Sequence, residues 1–421
     1  MGIANIIGAG LFVLSGVAAG LAGPSVILSF VIAGGAALLT ALSTAELSSF
    51  ITDTGASYAY TKRAFGTFWC FLVGWFKYFD YTVGAAAVAI GFASYFTRLT
   101  GWTGDIPLLA TAVALPAAVT VLNLVGVKET TVATSGLVIF KLIALLVLIA
   151  GGAHFMFGNF DIGRFQPFFP NGGGGTLHGA AVIFFAFIGF NTIAMMSEET
   201  EDPARTIPRA LLLAFGVCFA FYCAIAVLEV GTMDWQKLGS SASPLEDVAD
   251  AVFKQKAFIV FINISALAAT ASVVLSSVTA GTRAGFAMGR DGLLPRQLDR
   301  VSERSGTPYV SIAVNGVLVT VLAGAFYRNI DLIASIFNFG SLFTYLFVQL
   351  SLMRLRRTEP DVKRPFRVPL YPAVPILGVV SCLLLMLYLS NTAKVASLVW
   401  LGVGLLTHFW LRRHNTTAPL Q

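Results

Sequence analysis

Long apolar runs recur along the whole of this 421-residue chain and restrict its fold more than any other feature. A helix needs about 20 apolar residues to cross a bilayer. Only 11% of the residues are charged, whereas soluble globular domains carry roughly 25%. The sequence therefore predicts an all-α integral membrane protein of about 12 transmembrane helices. The runs lie at 3–20, 24–45, 68–97, 105–125, 131–155, 176–196, 208–231, 256–282, 309–327, 330–353, 372–390 and 395–411.

The distribution of basic residues predicts the orientation of the chain. With the N-terminus in the cytoplasm, eighteen of the 27 lysines and arginines lie inside, seven lie outside, and Lys77 and Lys141 lie within spans. Because cytoplasmic loops are enriched in Lys and Arg, this bias predicts a multi-pass cell-membrane protein with both termini cytoplasmic. Membrane lipid is then a partner, and the net charge of +6 requires no nucleic acid partner.

No sequence pattern indicates catalysis. The four histidines and four cysteines form no cluster at metal-ligand spacing, and we expect the cysteines to be buried thiols. A phosphate-binding glycine loop, a nucleophile elbow and an HExxH motif are all absent from the sequence. We therefore expect neither an enzyme nor a metal, a cofactor or ATP coupling.

Two of the spans are interrupted by poor helix formers. The first contains Gly8 and Gly10, and the sixth contains Gly189 and Asn191 among aromatic residues. In lipid, freed backbone groups are tolerated only where they line a cavity or pack on protein. Two interrupted helices five spans apart are typical of inverted-repeat transporters, although glycines packing helices closely together are the alternative. The predicted substrate-binding residues are Ile7, Gly8, Ala9, Gly10, Leu11, Phe185, Ala186, Ile188, Gly189 and Asn191.

Two ionisable residues lie deep within spans. Lys141 is about ten residues into the fifth span, where a lysine costs at least about 2.5 kcal/mol, so it should face the protein interior. It is either a proton carrier or a static structural cation. Asp80 follows Lys77 by three positions on one helix, so the two either neutralise each other or Asp80 serves the substrate or proton site. Lys141 and Asp80 are the candidates for proton coupling.

Other acidic residues and one glycine run carry weaker predictions. Glu46 and Glu229 lie near span ends, where solvated carboxylates are expected. Glu198 and Glu199 follow the sixth span and are either a conformational lock or solvated. Four consecutive glycines, 172–175, predict a flexible connection because glycine loses the most backbone entropy on ordering.

Five motifs, in order along the chain, resemble the amino acid–polyamine–organocation (APC) superfamily, and in particular the prokaryotic relatives of cationic amino acid transporters. The motifs lie at 7–12, at 55–60 with 65–66, at 185–190 followed by 197–199 and 202–203, at 282–283 with 290–295, and at 360–361 with 364–369. The resemblance implies one transporter domain, 1–421, with the five-plus-five inverted-repeat (LeuT-like) fold. The repeats would span roughly 1–155 and 176–353, with extra helices at 372–411.

The resemblance also implies secondary transport of amino acids by alternating access. The substrate carboxylate would bind backbone amides of residues 9–11, and the amino group would bind carbonyls of Phe185, Ala186 and Ile188, with Phe185 as the gate. Lys141 matches a lysine that replaces sodium, which favours sodium-independent proton symport or exchange. Asn191 stands where an acidic residue is common, which weakens a prediction of cation selectivity.

Several alternatives stay open from the sequence. The chain could be a polyamine or organocation carrier, or an exchanger without proton coupling, whereas a channel would require rings of polar residues that the sequence lacks. Only seven residues precede Gly8, about 10 Å of helix at 1.5 Å per residue. Since family members have more helix there, the resemblance predicts a first helix that is truncated at its N-terminus.

Overall fold

The computed structural model describes residues 3, 6–52, 55–126, 131–194, 200–302 and 306–414. This part of the chain forms helices and connecting turns, with no β-strand. We number the α-helices in chain order as α1 Ala9–Ala22, α2 Val26–Ser48, α3 Ser57–Phe65, α4 Thr67–Thr100, α5 Asp105–Val125, α6 Thr131–Asn159, α7 Gly172–Ile183, α8 Asn191–Ala194, α9 Pro203–Thr232, α10 Trp235–Ser240, α11 Pro244–Val252, α12 Lys256–Arg290, α13 Tyr309–Phe326, α14 Ile330–Thr358, α15 Ala373–Tyr388 and α16 Asn391–His414.

Ten helical segments of the described chain are long and apolar enough to cross a membrane. One of them, Gly10–Ser48, contains the first two predicted spans, which a 3-10 turn at Gly23–Ser25 divides into α1 and α2. The shorter apolar helix α15 corresponds to another predicted span. Every predicted span thus contains a helix, and the predicted class of all-α membrane protein is confirmed.

Two predicted spans are much longer than the bilayer requires. Helices α4 and α12 contain 34 and 35 residues and run without interruption, so the prediction of one helix for each span is confirmed. At 1.5 Å per residue each is about 50 Å long, longer than the roughly 30 Å hydrocarbon core. The two helices pack against each other in the bundle.

The polar interval at 232–255, which we call the outer segment, folds over the first helix. Its helices α10 and α11 bury Leu238, Leu245 and Val248 completely. A Cβ atom on Gly20 of α1 would lie 2.8 Å from Gly239 Cα, so the two backbones meet without intervening side chains. The half of α1 that follows the glycines is therefore covered by protein.

The four glycines at 172–175 do not form a flexible connection, so that prediction is wrong. They are the first turn of α7. Asn171 Nδ2 donates to Leu21 O at 2.9 Å, and a Cβ atom on Gly175 would lie 2.7 Å from the same carbonyl oxygen. The close approach to the end of α1 excludes a side chain at Gly175, and this packing offsets part of the backbone entropy that the glycines lose.

Glu46 and Glu229 are both 0% exposed, so the prediction of solvated carboxylates is wrong for each. Their positions near helix ends did not reveal which other segments cover them. Glu198 and Glu199 lie outside the described residues. The four cysteines are free thiols, and three of them, Cys70, Cys218 and Cys382, are buried, as predicted.

Candidate functional site

The first span is broken immediately before α1. Ile7 N–H donates to Ile3 O at 3.0 Å, which closes one helical turn, but Ile7 and Gly8 are not helical. Gly8 has an extended backbone, with φ −140° and ψ −151°, and α1 begins at Ala9. The first N–H groups of a helix have no partner within the helix, and they carry the positive end of its dipole. The break therefore presents a ready-made anion-binding end.

Side chains from two other helices satisfy the carbonyls before the break. Lys141 Nζ of α6 donates to Ile7 O at 2.6 Å, and Tyr222 Oη of α9 donates to Ile6 O at 2.6 Å. Lys141 is 1% exposed, so its predicted interior location is confirmed. Protein donors thus satisfy the carbonyls of the non-helical turn, as a membrane interior requires.

The sixth span is broken between α7 and α8. A 3-10 turn at Phe184–Phe187 follows α7, and Ile188 is extended. Gly189 has φ +128°, a conformation that side chains rarely adopt, so glycine is required at this position. Both predicted interruptions are thus present as breaks in the helices.

The two breaks are in direct contact. A Cβ atom on Gly10 would lie 2.3 Å from Ala186 Cα, so a side chain at Gly10 cannot be accommodated in this packing. Tyr222 Oη also lies 3.0 Å from Ala186 O, so one hydroxyl faces carbonyls of both broken segments. The glycines of the first span therefore serve close packing as well as a break, and substrate binding at the break stays a prediction.

A cavity of about 90 Å³, which we call the central cavity, lies beside the two breaks. At about 30 Å³ per water this is room for roughly three waters. Phe185 and Phe337 pack with ring centroids 4.4 Å apart at its wall. The cavity is lined by Ile6, Gly8, Gly10, Lys77, Asp80, Tyr81, Gly84, Val88, Phe185, Ile188, Gly189, Thr192, Val273, Ser276, Ser277, Ala280 and Phe337.

One ion pair belongs to this lining. Lys77 Nζ lies 3.3 Å from Asp80 Oδ2, which also accepts from Ser341 Oγ at 2.9 Å. Lys77 Nζ is 5.3 Å from the centroid of the Tyr345 ring. Asp80 Oδ1 is buried without a hydrogen-bond partner among the described residues. Asp80 thus pairs with Lys77, as one interpretation predicts, and also lines the cavity, while its role at a substrate or proton site stays a prediction.

The predicted residues divide into those that line the cavity and those behind it. Gly8, Gly10, Phe185, Ile188, Gly189 and Asp80 line the cavity. Ile7, Leu11 and Ala186 are buried in the core and do not line the cavity, and Ala9 begins α1. Asn191 is 6% exposed and does not line the cavity, and Lys141 lies behind the break.

Several lining residues were not predicted from the sequence. Tyr222, which contacts both breaks but does not line the cavity, also gave no signal, because one tyrosine in an apolar run is common. Phe337 precedes Asn338 in the tenth span, and Ser276 and Ser277 interrupt the eighth span, so small or polar residues amid apolar ones were the available signals. The long-range contacts that bring them together are not encoded in local pattern.

A larger groove of about 710 Å³ lies elsewhere, between α6 and α9. Its walls include Ile149, Met156, Phe157 and Val227, and Phe157 is 96% exposed. An apolar surface of this kind suits contact with lipid, so the smaller central cavity is the better candidate for a polar solute.

Comparison with known proteins adds independent information. A family model described as amino acid permease matches residues 1–406. The chain is 33% identical to the branched-chain amino acid permease BcaP of Bacillus subtilis (strain 168), over 99% of this chain and 92% of that protein. The identity and both coverages are the same for the methylthioribose transporter of that organism. Cationic amino acid transporter 3, mitochondrial, of Arabidopsis thaliana is 30% identical over 88% of this chain and 62% of its own length.

Proposed function

Since the chain belongs to the amino acid permease family, a family of membrane transporters and not of enzymes, we propose that it is a secondary active transporter of amino acids in the cell membrane. Alternating access between the inverted repeats, 1–155 and 176–353, would move the substrate, with both termini cytoplasmic. The transport is sodium-independent and works by proton symport or exchange.

The contact between the two broken helices is the observation that carries this proposal. The N-terminal end of α1 offers free N–H groups to a carboxylate at residues 9–11, and the turn before α8 offers carbonyls to an amino group. Phe185 O accepts one bond, from Ile188 N–H, and Ala186 O shares the single Tyr222 hydroxyl proton with Ile6 O, so each carbonyl can accept a further bond. A molecule with both charges fits this pair of ends.

The lining of the central cavity favours neutral amino acids with small apolar side chains. Val88, Ile188 and Val273 are apolar, and Lys77 already neutralises Asp80, so the lining offers no net negative charge to a cationic side chain. The same neutralisation argues against a polyamine substrate. The name of the relative BcaP points in the same direction, since branched-chain side chains are apolar.

Lys141 is the proposed coupling residue. Its ammonium donates to Ile7 O and so fixes the turn before α1. Loss of the proton converts a charge-assisted hydrogen bond into a weaker neutral one, which frees the turn to change. The fixed cation beside this carbonyl also makes a bound sodium ion unnecessary at the break.

Two glycine variants test the binding site. Gly10→Ala would place a methyl group 2.3 Å from Ala186 Cα, so we expect it to separate the breaks and to abolish amino acid binding. Gly35→Ala is the control, because a Cβ atom on Gly35 of α2 has no heavy atom within 4 Å in the described chain. Binding is measured by counterflow in liposomes. Normal affinity in Gly10→Ala would remove the proposed site.

A ligand screen tests the substrate class. Purified protein is heated with each amino acid, with a polyamine and with methylthioribose, in the presence and absence of sodium. We expect thermal stabilisation by neutral aliphatic amino acids and no effect of sodium. Stabilisation by methylthioribose alone would favour the activity named for the second relative. Stabilisation by cationic substrates would contradict the role given to Lys77.

A third experiment tests proton coupling. Lys141→Ala is expected to lose accumulation driven by a pH gradient while retaining exchange at equal pH. Undiminished accumulation in this variant would leave Lys141 as a structural cation and the carrier as an exchanger or a symporter with another proton site.

A further inference from the structure

Glu229 is a buried acid that the proposed transport mechanism does not use. It lies three residues before the end of α9 and is 0% exposed. Its Oε1 accepts a hydrogen bond of 2.6 Å from Ser15 Oγ of α1. Its Oε2 is buried and has no hydrogen-bond partner among the described residues.

The cations near Glu229 are engaged elsewhere. Arg98 pairs with Glu246 at 3.0 Å and with Asp247, and Arg164 Nη1 donates to Gly231 O at 2.7 Å. No ion pair in the described chain includes Glu229. The titratable and charged groups on the elements around it are Tyr95 and Arg98 of α4, Lys141 and His154 of α6, Arg164 of the turn Ile162–Phe165, Asp234 and Lys237 beside and in α10, and Glu246, Asp247 and Asp250 of α11.

An ionised carboxylate is costly in such surroundings. A buried charge without a cation or several donors costs several kcal/mol more than a neutral group. A carboxylate offers about four lone-pair sites, and the Ser15 hydroxyl satisfies one of them. The neutral acid is therefore the form that this arrangement favours. Because Oε1 accepts from Ser15, the proton belongs on Oε2.

Ser15 connects this acid to the broken helix. It lies seven residues after Gly8, about 10 Å along α1. Between them, Phe12 O accepts a hydrogen bond of 2.5 Å from Tyr95 Oη. A displacement of α1 that separates Ser15 from Glu229 would thus accompany a change at the break, since a helix of this length moves as one body.

We propose that Glu229 is a second proton-binding site of the transporter, protonated while Ser15 is seated against it and ionised when α1 moves away. The inference rests on the proposed function, because it requires α1, the part of the first span after the break, to move during alternating access. Binding is the simple addition of one proton to the carboxylate. By linkage, a proton that stabilises this position of α1 is bound more tightly in this position than in the other.

The two proton sites then act on opposite ends of one segment. Lys141 holds Ile7 O before the break, and Glu229 holds Ser15 after it. The outer segment, whose residue Glu246 is paired with Arg98, lies over this half of α1. Protons that reach Glu229 would come from the side of the membrane that this segment faces.

Infrared spectroscopy tests the protonation directly. Full-length protein in lipid vesicles is titrated, and the C=O stretch of protonated carboxyl groups is followed. We expect a signal at neutral pH that is lost in Glu229→Gln and retained in Asp80→Asn, the variant of a second acid whose buried oxygen has no partner in the described part of the chain. A signal that is unchanged in Glu229→Gln would overturn the proposal. Loss of the signal on adding sodium at fixed pH would make this a metal-cation site and would also overturn it.

Transport tests the coupling. Each coupled proton supports about tenfold accumulation per unit of pH gradient. Glu229→Gln is expected to lose the share that its proton drives while retaining counterflow at equal pH. Accumulation equal to that of the wild type would overturn the coupling role. Absence of counterflow in both proteins would instead refute the proposed transport function and leave the infrared result standing.

Discussion

Two glutamates, each 0% exposed and each close to the end of a long helix, have opposite surroundings. Glu46, at the predicted inner side, accepts from Arg356 Nε at 2.7 Å and Nη2 at 2.5 Å and from Val368 N–H at 2.6 Å. Arg364 Nε lies 3.5 Å away. Glu229, at the predicted outer side, has one hydroxyl donor. The two carboxyl groups are therefore equally buried, but two arginines and an amide compensate the charge of Glu46, whereas one hydroxyl faces Glu229.

The two carboxyls differ in how many donors hold each of them in place. The carboxylate of Glu46 joins α2 to the end of α14 and to the loop that follows it, through two arginines and a backbone amide. The carboxyl of Glu229 is bound to α1 by one hydrogen bond, and an ionised form would have no counterion among the described residues.

The largest expected effect comes from removing the inner carboxylate. Glu46→Gln leaves Arg356 and Arg364, the latter with only 4% of its side chain exposed, without a counter-charge. Breaking a buried ion pair in this way costs about 3–5 kcal/mol. The measurement is the thermal midpoint and denaturant midpoint of the purified protein. A variant as stable as the wild type would show that the two glutamates do not differ as described.

Much of the fold was predictable from the sequence because a membrane simplifies the physics. Spans follow from length and apolarity alone, and the predicted bounds 105–125 coincide with α5, which Gly104 and Gly126 flank with positive φ angles. The breaks were predictable because Gly8, Gly10 and Gly189 weaken helices. The interior position of Lys141 was predictable because a cationic side chain that faces lipid at this depth is costly.

The burial of the two glutamates could not be predicted in this way. Whether an acid near a helix end meets water depends on the segments that cover it, such as the outer segment over α1 and the loop at 359–372 under α2. Those contacts join residues more than 200 positions apart, as in the pairs Ser15–Glu229 and Glu46–Arg356. The place of Phe337 in the cavity wall could not be predicted for the same reason, because it also depends on contacts between distant segments.

The surroundings of Glu246 are intermediate between those of Glu46 and Glu229, and the protonation of Glu246 should change with pH. Burial raises the pKa of Glu246 from 4.5 to about 7, although Arg98 lowers it and Asp247 raises it again. Since the folded-state pKa lies above the unfolded value, the folded protein binds more protons between pH 4.5 and 7. The contribution of Glu246 to the free energy of unfolding is fully present below pH 4.5 and is lost as the pH rises through 7.

We therefore expect the outer segment to be held less tightly at pH 8 than at pH 5, by on the order of 1–2 kcal/mol. Hydrogen exchange of residues 235–252, corrected for the intrinsic dependence of exchange on pH, measures this. Glu246→Gln should flatten the dependence, because an amide does not titrate. Equal protection at both pH values in the wild type would contradict the prediction.

A smaller effect is expected for Glu229→Gln at neutral pH, where the comparison predicts a change in stability of at most about 1 kcal/mol. The amide oxygen can still accept from Ser15 Oγ, and a neutral side chain replaces a group that we infer to be neutral already. Thermal midpoints of this variant and of Glu46→Gln are compared in one buffer. Equal losses would show that Glu229 is ionised and held by a cation, as Glu46 is.

The smallest effect is expected for Glu359→Gln. This variant removes a paired but partly exposed carboxylate at the predicted inner side, so it shows how much of the effect of Glu46→Gln is due to burial. Glu359 forms a close pair with Arg63 at 2.7 Å, but their side chains are 28% and 39% exposed. Exposed pairs contribute about 0–1 kcal/mol because water and salt screen them. The change in thermal midpoint should be within error of zero at high salt. A loss as large as that of Glu46→Gln would mean that contact with an arginine, and not enclosure by protein, determines the cost of removing a carboxylate at this end of the bundle.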